Sequence, residues 1–536
     1  MTEDPALLRR VDATLRRCVQ GAAPQALAEL AQLTAELPEP SRLRAAVEFG
    51  WAMAHHLLGH TADALRAATR LLAVADKLGE PGWPALGYAV QAVVKGKSGA
   101  RADPFDDLVE AEARLAATVD SGLLSAAHTW LGMAYYEVRL YELAVPHFER
   151  AAELNLDQFG APWPPELGQL NLAEVHLRWA DELELSGTES WSEQVSELRA
   201  AGAAAARRAV ALSGPVSDQI FTVGVRLTLA TSLCRTSPAE AVELIELALA
   251  RMTARQFRDD RSGAYAHLAI AYRALGLTDK ANEAARAAVA GLHETSDPPT
   301  AVLVRRVALE LAAEAGSPMA AEGLQLARMI ARSLWAQRSR DLQWVRDALA
   351  AREMSAQHQA ALRDARSDPL TGVANRRAFD ERVEQAGDAG EAVVLVMVDL
   401  DDFKRVNDSL GHVVGDRLLC DLAGTVTAAL RDGDLVARLG GDEFVVVCPD
   451  PREQGPAQLL HRLRQALDGP WSTSVPGLDW SAGVSLGAAA TCEGLSPDAL
   501  LAVADARLYD DKARRRAGAP ARLPAQRRRE SLSRLG

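Results

Sequence analysis

Cysteine is scarce in this chain. Its 536 residues hold five, at Cys18, Cys234, Cys420, Cys448 and Cys492, none close to another and none in a C-x-x-C pair. That argues against metal–thiolate sites and against a disulfide framework, and leaves reduced thiols in the cytoplasm as the plain expectation. Positive charge is also in deficit. Against 72 Asp and Glu stand 59 Lys and Arg, a net charge of −13, so no general nucleic-acid-binding surface is expected. An acidic chain can still hold a phosphate substrate, but only through local Lys or Arg and a divalent cation. No apolar run reaches the ~18 residues of a membrane helix. Met1 to Gln20 carries charges throughout, with no apolar stretch of the kind that marks a secretory signal. Membrane insertion is not expected, and whatever the protein senses should reach it in the cytoplasm.

What is present is the composition of a globular protein, 48% hydrophobic and 24% charged, long enough for several domains. Residues 1–316 are rich in Ala, Leu, Arg and Glu with apolar positions three and four apart, the pattern of helix packed on helix. Two stretches are more specific. One holds Leu131, Gly132, Tyr135, Ala144, Phe148 and Ala151. The other holds Ala269, Tyr272, Gly276, Ala281, Ala285 and Ala288. Each sets a Tyr near the end of one helix and small residues where a second helix crosses it, a spacing that resembles the tetratricopeptide (TPR) repeat. Weaker copies surround Ala52, Ala64 and Ala68, and Ala241, Ile245 and Ala248. An all-α TPR-like solenoid that binds a protein or peptide is the expectation for this region.

Residues 317–366 read as one connecting helix. Leu342, Val345 and Leu349 keep a three–four spacing, but the next positions, Arg352, Ala356 and Gln359, are polar or small. The segment is either a short coiled coil or a solvated connector. From 367 to 520 the texture alternates. Ala392 to Val398, Phe444 to Cys448 and Gly483 to Ala489 read as strands with helices between them, which predicts an α/β domain. A basic tail, 521–536, is expected to be disordered.

The chemistry concentrates in this last domain. The strand 392–398 runs into Asp399-Leu400-Asp401-Asp402-Phe403-Lys404, and a carboxylate at the end of a buried strand suits a hard cation. Leu439-Gly440-Gly441-Asp442-Glu443-Phe444 reads as a tight hairpin whose glycines let the backbone approach a ligand. Taken singly, each motif also fits a purely structural turn. Their combination, in order, does not.

Gly440-Gly441-Asp442-Glu443-Phe444 is the signature of the GGDEF family. Asp368-Pro369-Leu370-Thr371-Gly372 with Asn375-Arg376-Arg377 resembles that family's opening motif. Asp399 to Asp416 resembles its metal and guanine segment, and Ala504-Asp505, Leu508-Tyr509 and Lys512 its closing helix. The resemblance implies a palm-like α/β fold related to adenylyl cyclases, and a diguanylate cyclase that joins two GTP into cyclic di-GMP with loss of two pyrophosphates. It implies Asp399, Asp442 and the Leu400 carbonyl as ligands of Mg²⁺ or Mn²⁺, and Asp442, Glu443 and Lys404 as the catalytic groups. Asn407 and Asp416 would read the guanine edge, with Phe403 and His412 also against substrate. Lys512 and Arg516 would reach the phosphates. Arg431 and Asp434, an Arg-x-x-Asp just upstream of the signature, would form an allosteric site for the product. Because the product has two-fold symmetry and one domain holds one GTP, the resemblance also implies a homodimer.

The chain departs from the family pattern at Asp402, where relatives are apolar or aromatic, and at Asp511 and Arg515, where they carry Ala and Gly. The alternative reading is an inactive domain that only binds GTP or cyclic di-GMP. No Glu-x-Leu segment is followed by the acids of a phosphodiesterase domain, so degradation of cyclic di-GMP is not expected.

Overall fold

The structure, a computed structural model, describes residues 4–518 except 20–21, 99–102, 119, 158–165, 188–190, 214–219, 253–257, 294–297, 451–455 and 468–482. The expected tail, 521–536, lies outside the described residues. The chain divides into two compact units, Met1–Arg352 and Glu353–Gly536.

The first unit is all helix among its described residues, from Pro5–Val19 through Pro298–Glu314, each helix packing chiefly on its neighbours in sequence. The small residues do what their spacing predicts. Helices Ser121–Glu137 and Tyr141–Asp157 cross at Gly132, where an added Cβ would lie 2.7 Å from the Phe148 ring. Leu131, Tyr135 and Ala144 are fully buried there. In the pair Arg258–Ala274 and Thr278–Ala290, Ala269, Tyr272, Ala281, Ala285 and Ala288 are all in the core. Gly276 takes φ +73 in the turn between them, which glycine adopts without strain.

The connecting segment is one helix, Pro318–Arg366. Its three–four seam is used inside the chain: Leu342 and Val345 are buried in the core of the helical unit, with Leu349 against it. Arg338, on the same face, is 3% exposed. It donates from Nε to the Arg139 carbonyl at 2.5 Å, pairs with Glu142, and lies over the Trp335 ring. The division between units therefore falls within this helix, where the buried positions end, and not at its ends.

The second unit is the expected α/β domain. Strands β1 (Ala374–Asn375), β2 (Val393–Leu400), β3 (Leu435–Gly440), β4 (Glu443–Pro449) and β5 (Val484–Ala490) form one mixed sheet in the order β1-β3-β4-β2-β5. β2 is an interior strand, buried along its whole length and antiparallel to both β4 and β5. Both faces are covered, so β2 reads as a continuous apolar run. Val394, Val396, Val398 and Leu400 pack with helices Phe403–Leu410, His412–Ala428 and Ala457–Leu467. Val393, Leu395 and Met397 pack with helices Arg376–Asp388 and Pro497–Gly518.

Candidate functional site

The β2–β4 register places Asp399 directly beside Glu443. Glu443 opens β4 after the two-residue turn Gly441-Asp442, with Gly440 paired across to Glu443. Gly441 has φ +56 and Gly440 φ +148, conformations that glycine alone takes freely. The signature is thus a hairpin tip that presents Asp442 and Glu443 beside the C-terminal end of β2.

Helix Pro497–Gly518 brings in the opposing charge. It lies so close on β5 that a Cβ at Gly487 would be 2.1 Å from the Ala504 carbonyl oxygen. Two turns beyond that contact, Lys512 sets its ammonium 2.7 Å from Asp399 Oδ1. Asp399, Glu443, Asp505, Tyr509 and Lys512 line one cleft of about 420 Å³. Asp399 is only 4% exposed. Burial pushes its carboxyl up; Lys512 opposes this, the nearby Asp442 and Asp401 add to it, and the value settles at about 6.

The second cluster sits on the helix pair 403–410 and 412–428. Asn407 Oδ1 is buried without a hydrogen-bond partner. It presses on Gly415, where a Cβ would come within 1.9 Å of it. Only glycine fits there, and Asp416 follows at once, exposed. Phe403 is buried beneath the pair, while Lys404 and His412 are exposed. Asp402 caps the first helix at φ +58, a left-handed position that Asp tolerates, with its side chain 51% exposed. This departure from the family pattern is a solvent-facing turn.

Other anticipated residues are held apart from these clusters or bound within the fold. Leu400 is buried and registers with Val484 of β5. Arg516 is exposed in the last turn of its helix. The Arg431 side chain is exposed, whereas Asp434 accepts from the Arg431 backbone N–H at 2.9 Å and from Arg462 Nη2 at 2.9 Å. Asp511 accepts the Leu486 backbone N–H at 3.0 Å and pairs with Arg464, so it satisfies an edge-strand donor of β5.

Sequence reasoning missed Arg438. Its Nε and Nη2 donate to the Gly441 carbonyl at 2.9 and 2.8 Å, and its Nη1 donates to Asp368 at 3.1 Å. Asp368 in turn accepts from the Thr371 N–H and hydroxyl at 2.9 and 2.7 Å. The opening motif therefore steadies the hairpin tip through one guanidinium. The only signal was a charged residue two positions before Gly440 in an otherwise apolar strand.

Residues 365–518 match the family described as diguanylate cyclase, GGDEF domain. The diguanylate cyclase DgcP of Pseudomonas aeruginosa is 45% identical over 116 residues, 21% of this chain and 16% of that protein. The response regulator PleD of Caulobacter vibrioides is 37% identical over 153 residues, 27% of this chain and 34% of that protein. Among solved structures, the GGDEF domain of TpbB (YfiN) from Pseudomonas aeruginosa is 34% identical, with a TM-score of 0.25, over 28% of this chain and 89% of that one. The chain thus carries a GGDEF domain at residues 365–518, behind a mostly helical N-terminal region. It spans only 16% and 34% of the two curated relatives named here. Among the described residues, no helix is long and apolar enough to cross a membrane.

Proposed function

We propose that this chain is a diguanylate cyclase that condenses two GTP into cyclic di-GMP. The observation that carries the reading is the cleft in which buried Asp399, the hairpin acid Glu443 and Lys512 converge. In each half-reaction the 3′-hydroxyl of one GTP attacks the α-phosphorus of the other, the new phosphodiester forms, and pyrophosphate leaves with the bond broken behind the α-phosphorus. Asp442 or Glu443 takes the hydroxyl proton.

GGDEF diguanylate cyclases use divalent cations, and the donor set here fits one. Asp399 is a buried carboxylate whose raised proton affinity reports an unmet demand for positive charge, and an ammonium already stands on it. Asp399, Asp442 and the Leu400 carbonyl would hold Mg²⁺ or Mn²⁺, which when bound neutralises phosphate charge and acidifies the attacking hydroxyl. Lys404 and Lys512 add positive charge toward the triphosphate, with Arg516 reaching it from the last helical turn.

Guanine selection rests on Asn407 and Asp416, with Phe403 and His412 beside them. The unpartnered Asn407 oxygen suits a donor on the base. Guanine offers N1–H and an amino group on one edge, a pattern adenine lacks, and an unmet buried acceptor penalises the wrong base.

The two-fold product requires two domains face to face, so the working species is a homodimer. Arg431 and Asp434 form the site at which product inhibits; Arg431 is free to meet a guanine edge, and Asp434 would exchange Arg462 for it. The helical region acts as a TPR-like scaffold for a protein or peptide that supplies the input. The cytoplasm is the compartment in which GTP is met.

The test is a nucleotide assay on purified full-length protein with Mg²⁺. GTP, not ATP, should yield cyclic di-GMP, and Asp442→Ala should abolish turnover. Wild-type rates in that variant would sink the assignment.

A further inference from the structure

The helical region carries a cluster that cyclase chemistry does not use. Helices Arg42–Leu57 and Thr61–Leu78 are joined by only Leu58, Gly59 and His60, with Gly59 at φ +74. So tight a turn sets the last turn of one helix beside the first turn of the next. His55, His60 and Asp63 each place one ligand atom there, all within 4.8 Å of one another.

The spacing of the two imidazoles is informative. His55 Nδ1 and His60 Nδ1 are 3.4 Å apart, with the rings tilted by 41°. At that separation one imidazole N–H can donate only a long bond to the other ring, since N–H donors usually sit about 2.7–3.2 Å from an oxygen acceptor. Two nitrogens each bound to one tetrahedral Zn²⁺ at the usual Zn–N length lie about 3.3–3.4 Å apart.

The neighbours preorganise this pair. Trp51, one turn before His55, stacks on its ring at 5.5 Å and 19°. Trp51 is itself held by its Nε1 donating to Thr34 Oγ1 at 3.0 Å. His56 goes the other way, buried with its ring edge-on to Trp130, which anchors the turn and leaves His55 and His60 outward. Among the described residues Asp63 pairs with Arg66, and with side chains 45% and 65% exposed that pair holds it weakly. As it stands, Asp63 places a carboxylate oxygen within 4.8 Å of a ring nitrogen of each histidine.

We propose that His55, His60 and Asp63 bind a borderline divalent transition cation, Zn²⁺ foremost, with the fourth position left to water. Two imidazoles and one carboxylate are the donor set of an open zinc site. Mg²⁺, which demands oxygen ligands, would not compete there, so this site is chemically distinct from the carboxylate site of the GGDEF domain.

The experiment is Zn²⁺ calorimetry on full-length protein in excess Mg²⁺, comparing wild type, His60→Ala, His55→Ala, Asp442→Ala and, as the control histidine, His358→Ala, which is exposed on helix Pro318–Arg366 and is no part of the cluster. Helical circular dichroism and melting in chelator check that each variant folds; His60 is exposed and should be silent there. One equivalent of Zn²⁺ is expected per wild-type chain, retained in His358→Ala and Asp442→Ala. His60→Ala and His55→Ala should weaken binding by at least ~100-fold, because lost second-sphere contacts alone reach that size. Unchanged affinity and stoichiometry in His60→Ala, or loss in Asp442→Ala with retention in His60→Ala, would overturn the proposal.

Discussion

The two units handle buried charge in different ways. In the helical unit, Glu48 is 1% exposed and is met by Arg44 at 3.0 Å and Arg70 at 2.8 Å. Glu184 is met by Arg199 at 3.0 Å, Arg235 at 2.7 Å and Arg306 at 3.1 Å. Burial raises the neighbouring Asp181, but Arg199, Arg306 and Arg235 outweigh it and hold its carboxyl at about 2. His147 bridges His128 at 2.9 Å and Glu112 at 2.8 Å, and the Tyr135 hydroxyl donates to that same Glu112. In the GGDEF domain, by contrast, buried Asp399 has one lysine and two further acids nearby and rises to about 6. Asp107 in the helical unit, paired with Lys95, is also raised, so a single ammonium does not offset burial. Several guanidiniums make a structural anchor; one lysine leaves a carboxylate that still calls for a cation.

The sharpest way to break this contrast is Asp399→Asn. Turnover should fall by ~10³-fold or more, since charge neutralisation at the cleft is worth several kcal/mol. The folded domain should nevertheless gain ~1–2 kcal/mol at neutral pH in chelator, part of the ~3 kcal/mol upper bound implied by 3.8 against about 6. The sign follows from the raised value. Wild type keeps its full stability below pH 3.8 and loses it as pH rises through about 6, so the variant's advantage should open across that window and vanish below it. Denaturant titrations from pH 4 to 8 read this directly; a variant less stable than wild type at pH 7 would reverse the argument.

Gly487→Ala tests how the opposing charge is delivered. Its Cβ meets backbone at 2.1 and 2.2 Å, so helix 497–518 must move, costing ~2–3 kcal/mol by analogy with overpacked cores. Lys512 moves with it, and melting curves and rate should fall together. An unshifted melt would show that the helix gives way without cost.

Arg438→Ala should lower kcat by ~10–100-fold with KM little changed, because the hairpin tip loses its positioning and not its binding groups. Arg438→Lys should not rescue it, since one ammonium cannot span Gly441 and Asp368. Steady-state kinetics decide it: a rise in KM alone would place Arg438 on substrate instead.

The smallest effect falls in the helical unit. Asp181→Asn should destabilise by ~1–2 kcal/mol at neutral pH, the opposite sign to Asp399→Asn, because it leaves arginines facing one another. Its folded value is depressed, so wild-type stability is present above pH 3.8 and lost as pH falls through about 2; the two proteins should converge in acid. Chemical denaturation with the two units' transitions resolved separately would show it. Equal stability at pH 7 would mean that the arginine cluster does not depend on this acid.

Local pattern alone settled a good deal. The continuous apolar run around Val396 reads as a buried strand, and the glycines at 440 and 441 as a hairpin turn. The three–four spacing of the N-terminal region demanded helices with small residues at their crossings. These follow from backbone sterics and side-chain period, which each segment carries within itself. Partner identity is not local. That Arg438 would tie Gly441 to Asp368 across 70 residues, or that Asp511 would take the Leu486 N–H, depends on which surfaces meet. The seam Leu342, Val345 and Leu349 has a period that fits a second chain and its own helical unit equally well, and burial in the core of that unit chose the latter. His55 and His60 come within 3.4 Å only because Gly59 folds the chain back so sharply. Periodicity fixes which face of an element is apolar, whereas only the packed structure decides what that face, and the charges beside it, will meet.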